Sequence, residues 1–131
     1  MRQFIIDSLK ASTGVTDLVG NRIYQGEALT ASELTRPFLI YRVGNETTES
    51  ISEDAQTPHR VYFQVYVHDN PADYTKIDTL CQEVRQALVG GPYPDYKILR
   101  VAYMETSRDL DDDTMRTIFR YLRFQAIRSD Y

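Results

Sequence analysis

The segment from His59 to His68 constrains the fold more than any other part of the chain. Val61, Phe63, Val65 and Val67 alternate there with Arg60, Tyr62, Gln64, Tyr66 and His68. A period of two belongs to a β-strand, whose successive side chains point to opposite faces. Four apolar residues on one face need an apolar layer beneath them. A chain of 131 residues is one ordinary domain and can build that layer without disulfides or metals.

The rest of the chain supplies the layer. Residues 2 to 13 place Phe4, Ile5, Leu9 and more weakly Ile6 at helical spacing, with Gly14 expected as the stop, and Thr16 to Val19 reads as a short helical turn ended by Gly20. Asn21 to Tyr24 is expected to be a short strand, and Phe38 to Val43, opened by Pro37 and closed by Gly44, a longer one. After Asp69, Asn70 and Pro71 suit an N-cap and first helical position. The helix that follows carries Tyr74, Ile77, Cys81, Val84 and Leu88 in one stripe, with Leu80 and Ala87 beside it, and Gly90-Gly91-Pro92 ends it. Lys97 to Thr106 and Thr114 to Arg128 read as two closing strands joined by residues 107 to 113. Runs of strands with two helices make an α+β domain over residues 1–131, with a mostly antiparallel sheet and the helices packed on one face.

Residues that could carry chemistry are sparse. Hydrolase and zinc-protease motifs and glycine-rich phosphate loops are absent. One cysteine and two histidines cannot form a zinc site of the usual ligand count. His59 and His68, nine apart, fall on opposite faces of a regular strand. Cys81 lies on the apolar stripe and reads as a small buried hydrophobe. The acidic run Asp109, Asp111, Asp112 and Asp113 lacks calcium-loop spacing and reads as a solvated hairpin tip. The expectation is no catalytic residue, no metal and no cofactor.

Composition enters through charge. Net charge is −4, without the basic excess that phosphate neutralisation demands of a dedicated nucleic-acid binder. No apolar run is long enough to span a bilayer, and the first ten residues do not read as a signal peptide, so a soluble, intracellular product is expected. Only Lys10, Lys76 and Lys97 are lysines, Trp is absent and there are ten tyrosines. Arg and Tyr are enriched at protein–protein interfaces and Lys is depleted there.

The alternation is also less clean than a sheet with one wet face should show. Tyr62 and Tyr66 add apolar bulk to the polar side of the central strand, and Arg116, Arg120 and Arg123 are scattered through the last one. Helices or a neighbouring subunit must cover part of that second side. Tyr62, Gln64, Tyr66, Arg116, Arg120 and Arg123 are therefore candidate contacts with another subunit or a tube. The polar stretch 44–58, read as a loop with Glu46, Glu49, Glu53 and Asp54, is either a plain surface loop or a segment that orders on a partner.

The order of these pieces carries a resemblance. A short N-terminal helix and Leu18-Val19-Gly20 lead to Arg22-Ile23-Tyr24. Then come Pro37-Phe38-Leu39-Ile40-Tyr41, the polar stretch, the alternating run Arg60 to Val67, a helix over Ala72 to Leu88 and two closing strands. Over nearly its whole length the chain resembles the tail terminator, or tail completion, proteins of long-tailed phages and related prophages. The resemblance implies a ring of identical subunits, typically a hexamer, assembled in the host bacterial cytoplasm and carried in the virion. It would cap the tail tube, stop its polymerisation and offer the head connector a joining surface, with DNA passing through and no membrane contact. Two alternatives stay open: another neck or head-completion protein, which would bind portal or adaptor rings, and a small-ligand or enzymatic module, which would show a pocket of convergent polar groups.

Overall fold

The computed structural model describes residues 1–26, 35–48, 59–71, 74–113 and 116–129, with the side chains of 45–48 outside the description. Three helices and six strands follow in order: α1 (Arg2–Ala11), α2 (Thr13–Val19), β1 (Ile23–Gln25), β2 (Phe38–Thr48), β3 (His59–Asp69), α3 (Tyr74–Leu88), β4 (Ile98–Thr106), β5 (Leu110–Asp112) and β6 (Thr117–Arg128). The strands lie in the order β1-β2-β3-β6-β4, and β5 pairs with the start of β6. Among the described residues only the β1–β2 pair is parallel. The α+β class with a mostly antiparallel sheet is the architecture found, with three helices rather than two.

The alternating strand sits at the centre and determines which face is buried. Register places Leu39, Tyr41 and Val43 of β2 opposite Val67, Val65 and Phe63, and Ala126, Phe124 and Leu122 of β6 opposite Val61, Phe63 and Val65. Except for Val61, which is buried outside this cluster, these residues form one apolar layer with Val43 packed at its margin, and Phe4, Ile5 and Leu9 of α1, Val15 and Val19 of α2, and Ile77, Leu80, Val84 and Leu88 of α3 cover it. The Phe63 and Phe124 rings stack at 5.1 Å between centroids. At the far end Phe4 meets Tyr93 at 4.8 Å and Tyr96 at 5.4 Å, while the Tyr96 hydroxyl donates to Asp7 at 2.7 Å. This tyrosine clamp between α1 and the turn before β4 left no periodic signal in the sequence.

Several local expectations need correction. Gly14 does not end the first helix. The stop is Ser12, extended in backbone, whose hydroxyl accepts from Val15 N at 3.3 Å and caps α2. Gly14 lies inside α2 against Glu83 of α3, where a β-carbon would stand 1.9 Å from the carboxylate oxygen. Tyr74 is not on the buried stripe of α3; it is 50% exposed. The stretch 44–58 is not loop throughout. The backbone of β2 continues to Thr48, with a slip in register between Val43 and Glu46 that bends a strand this long. Residues 107–113 are more than a hairpin tip, since Leu110–Asp112 forms β5.

Cys81 is 7% exposed on the sheet side of α3, and burial pushes its thiol pKa up to about 12, with Arg120 pulling down and Asp78 and Asp109 pushing up. The thiolate is the reactive form. The native protein is therefore expected to resist a chromogenic disulfide reagent at pH 8 and to release one equivalent of colour only on denaturation. Rapid reaction without denaturant would contradict this burial.

Candidate assembly surface on the outer sheet face

Core register also specifies what the other face carries. Opposite the helices stand Phe38, Ile40 and Arg42 of β2, Arg60, Tyr62, Gln64, Tyr66 and His68 of β3, and Thr117, Phe119, Tyr121, Arg123 and Gln125 of β6. Among the described residues no helix lies over this face; the apolar faces of all three helices are spent on the other side.

The face is built around stacked rings. The His68 imidazole lies between Phe38, at 4.8 Å and 7° between planes, and Phe119, at 5.0 Å and 21°. Its Nδ1 shares a hydrogen bond of 2.8 Å with the Thr117 hydroxyl. Burial is the main cause that lowers this histidine from 6.5 to about 4; Asp112 opposes it, while Arg36 and Arg42 add to it. Tyr66 continues the cluster, 6.1 Å from Phe119 and 5.8 Å from Tyr121, with the Arg42 guanidinium over its ring at 5.0 Å. The Tyr66 hydroxyl donates to Gln64 at 3.0 Å. A shallow pocket of about 150 Å³ opens here, lined by Ile40, Arg42, Tyr66, His68, Asp112 and Phe119.

The candidate residues separate into three groups. Tyr62, Gln64, Tyr66 and Arg123 share the outer face, all half-buried, with Arg123 donating to Glu105 at 2.8 Å. Arg120 faces the helices instead. It bridges Asp78 of α3 at 2.9 Å and Asp109 at 3.2 Å, so it joins α3 to β6 rather than lining the same surface. Arg116 is exposed in the turn before β6, with a left-handed φ of 54°. Glu49, Glu53 and Asp54 lie outside the described residues. Of Glu46 only the backbone is described, paired with Val61.

Reading the sequence alone did not single out Phe38, His68, Phe119 and Arg42 as one group. Each belongs to a strand with its own alternation, but their meeting depends on register across three strands.

Among the described residues this face brings together rings and guanidinium groups rather than an assembled catalytic group. Its one histidine is held neutral between two phenylalanines, with its ring nitrogen Nδ1 spent on Thr117. Phe38, Ile40 and His68 are buried within the chain, while Tyr62, Tyr66, Tyr121 and Arg123 stay half-buried, and tyrosine and arginine are side chains that protein interfaces use as anchors.

Comparison with known proteins agrees with this architecture. A chain of the solved structure described as the virion of native gene transfer agent (GTA) particle matches with a TM-score of 0.72. The match covers 95% of this chain and 90% of that one at 17% identity, a likeness of fold. No curated protein matches. The profile of the family Tail completion protein gp17 matches residues 3–127, nearly the entire sequence, and the chain therefore belongs to that family of structural phage tail proteins.

Proposed function

We propose that this tail completion protein closes into a ring of identical copies, a hexamer, that caps the finished tail tube, stops its polymerisation and presents the surface to which the head connector joins. The observation that carries the reading is the outer sheet face, aromatic and arginine-rich and without a helix over it among the described residues. A stable contact buries about 800 Å² per partner. The ring works by binding alone and needs no cofactor. It assembles in the host cytoplasm and stays in the virion at the tail end. The net charge of −4 suits a ring through which DNA passes without being held, because like charges repel.

Light scattering over a range of concentration and salt tests the reading. With a chain of 15.2 kDa, six copies give a particle of about 91 kDa. That mass, alone or on preassembled tail tubes, is the expected result. A monomer that neither assembles nor binds tubes, but binds portal or adaptor rings, would make the protein a different neck component.

A further inference from the structure

The outer-face pocket has a polar atom at its base that no other described residue uses. His68 is 3% exposed and lines the pocket. Phe38 and Phe119 cover the two faces of its ring and Thr117 takes Nδ1, so the ring edge that carries Nε2 is the part left to face the cavity. Among the described residues Nε2 has no hydrogen-bond partner; the bond at Nδ1 is the one this side chain makes.

The bond at Nδ1 decides how Nε2 behaves. Thr117 is 2% exposed, and its hydroxyl bonds to Nδ1 at 2.8 Å. If Nδ1 carried the ring proton, the hydroxyl would accept it and its own hydrogen would stay buried without an acceptor, which is costly. A hydroxyl that donates to Nδ1 leaves neither group unsatisfied and puts the ring proton on Nε2. Burial keeps the imidazole neutral at pH 6, since it lowers the pKa from 6.5 to about 4. The pocket therefore has an N–H donor at its base.

Around that donor the walls are Ile40, Tyr66 and Phe119, with Arg42 and Asp112 as the charged groups of the lining. Arg36 and Arg42 act on the imidazole as positive charges and Asp112 as the negative one. A cavity of about 150 Å³ takes a guest the size of benzene. A donor beneath apolar walls, with a guanidinium in the lining, suits an ionised acceptor on a short apolar stem, because hydrogen bonds to ionised acceptors are about twice as strong as neutral ones. We propose that the pocket is a carboxylate-binding site, in which His68 Nε2 donates to an acid carried on a short hydrocarbon stem. In the assembled particle that acid is a glutamate side chain of the protein that covers the outer face. The glutamate rests on the assembly reading above; the site itself does not.

Butyrate has the stem and charge of a glutamate side chain and as many heavy atoms as benzene, and butyramide is its neutral counterpart. Both are titrated into dilute full-length protein carrying nitrogen-15-labelled histidine at pH 6, with His59 as the internal control. The proton should be found on Nε2 of His68, and that signal should move saturably with butyrate while His59 stays still. Butyrate should bind about tenfold more tightly than butyramide. Thr117→Val removes the hydroxyl that sets the proton's position and should weaken butyrate binding; Asp112→Asn removes the opposing carboxylate and should tighten it. Circular dichroism checks that both variants keep the wild-type fold. A proton on Nδ1, no response to butyrate, or equal responses to butyrate and butyramide would overturn the site. His68→Phe, which keeps a ring in the stack, tests the glutamate by light scattering, and it should need about tenfold or more higher concentration to assemble. Assembly like wild type would remove the glutamate and leave a site for a free acid. A wild-type protein that never assembles would remove the ring reading, and the butyrate result would still decide the site.

Discussion

Replacing Phe63 with alanine should destabilise the protein by about 3–5 kcal/mol, the range for deleting a buried phenylalanine ring. Phe63 is 1% exposed at the middle of the central strand, between Val43 of β2 and Phe124 of β6, and its ring stacks on Phe124. The neighbouring strands are hydrogen-bonded on both sides and cannot collapse into the vacated space, so the transfer loss and the cavity cost add. Single domains have only about 5–15 kcal/mol of stability in total, so the urea midpoint should fall by roughly a fifth or more. Tyr62→Ala is the matched control. Tyr62 is one residue away on the open face and half-buried, and its loss should cost about 1 kcal/mol or less. Equal losses for the two would mean that both faces of β3 are core.

Acidification should be the second large effect. His68 is 3% exposed and its pKa falls from 6.5 to about 4 in the folded protein, chiefly because burial disfavours its charged form. The unfolded chain binds a proton at this site from about pH 6.5 downward, and the folded chain does so only near pH 4. Stability from the neutral imidazole is therefore complete above pH 6.5, is lost as pH falls through that window, and stays constant below pH 4. At 1.36 kcal/mol per pH unit the loss is roughly 3 kcal/mol. Carboxylates titrate in part of the same range, so the comparison is with His68→Phe, which keeps a ring between Phe38 and Phe119. Urea titrations at pH 7, 6, 5 and 4 should show a shallower decline for the variant. Parallel declines would mean that His68 reaches water in the folded state. Protonation would put a charge between two phenylalanines at the base of the outer-face pocket, next to Arg36 and Arg42, with Asp112 opposing them.

Much of this molecule was legible before any coordinates. The helical stripe Ile77, Leu80, Cys81, Val84 and Leu88 is the buried side of α3, and Val61, Phe63, Val65 and Val67 are the buried side of β3. These are local periodicities, and burial follows them because a helix or strand can offer only one side to a common layer. The continuation of β2 to Thr48 was not legible, because Gly44, Asn45, Glu46, Thr47 and Thr48 have the composition of a loop. Pairing with β3 keeps that backbone in the sheet. Tyr74 falls at the correct helical angle for the stripe but stands at the first turn of α3, where it is left exposed.

The interface candidates show where local pattern stops. Arg120 and Arg123, three residues apart, fall on opposite faces of one strand, but both faces mix arginine with apolar bulk and the pattern does not say which one meets the helices. The antiparallel register with β3 sends Arg120 to the helices, where Asp78 and Asp109 hold it, and Arg123 to the open face beside Glu105. A slip of one residue would exchange them. The same register gathers Phe38, His68 and Phe119 from three strands into one stack. Most strands and helices and the apolar sides of β3 and α3 could be read locally, because they depend on neighbours within a few residues. Which arginine is structural and which side chains share a surface follow from pairing between residues far apart in the chain.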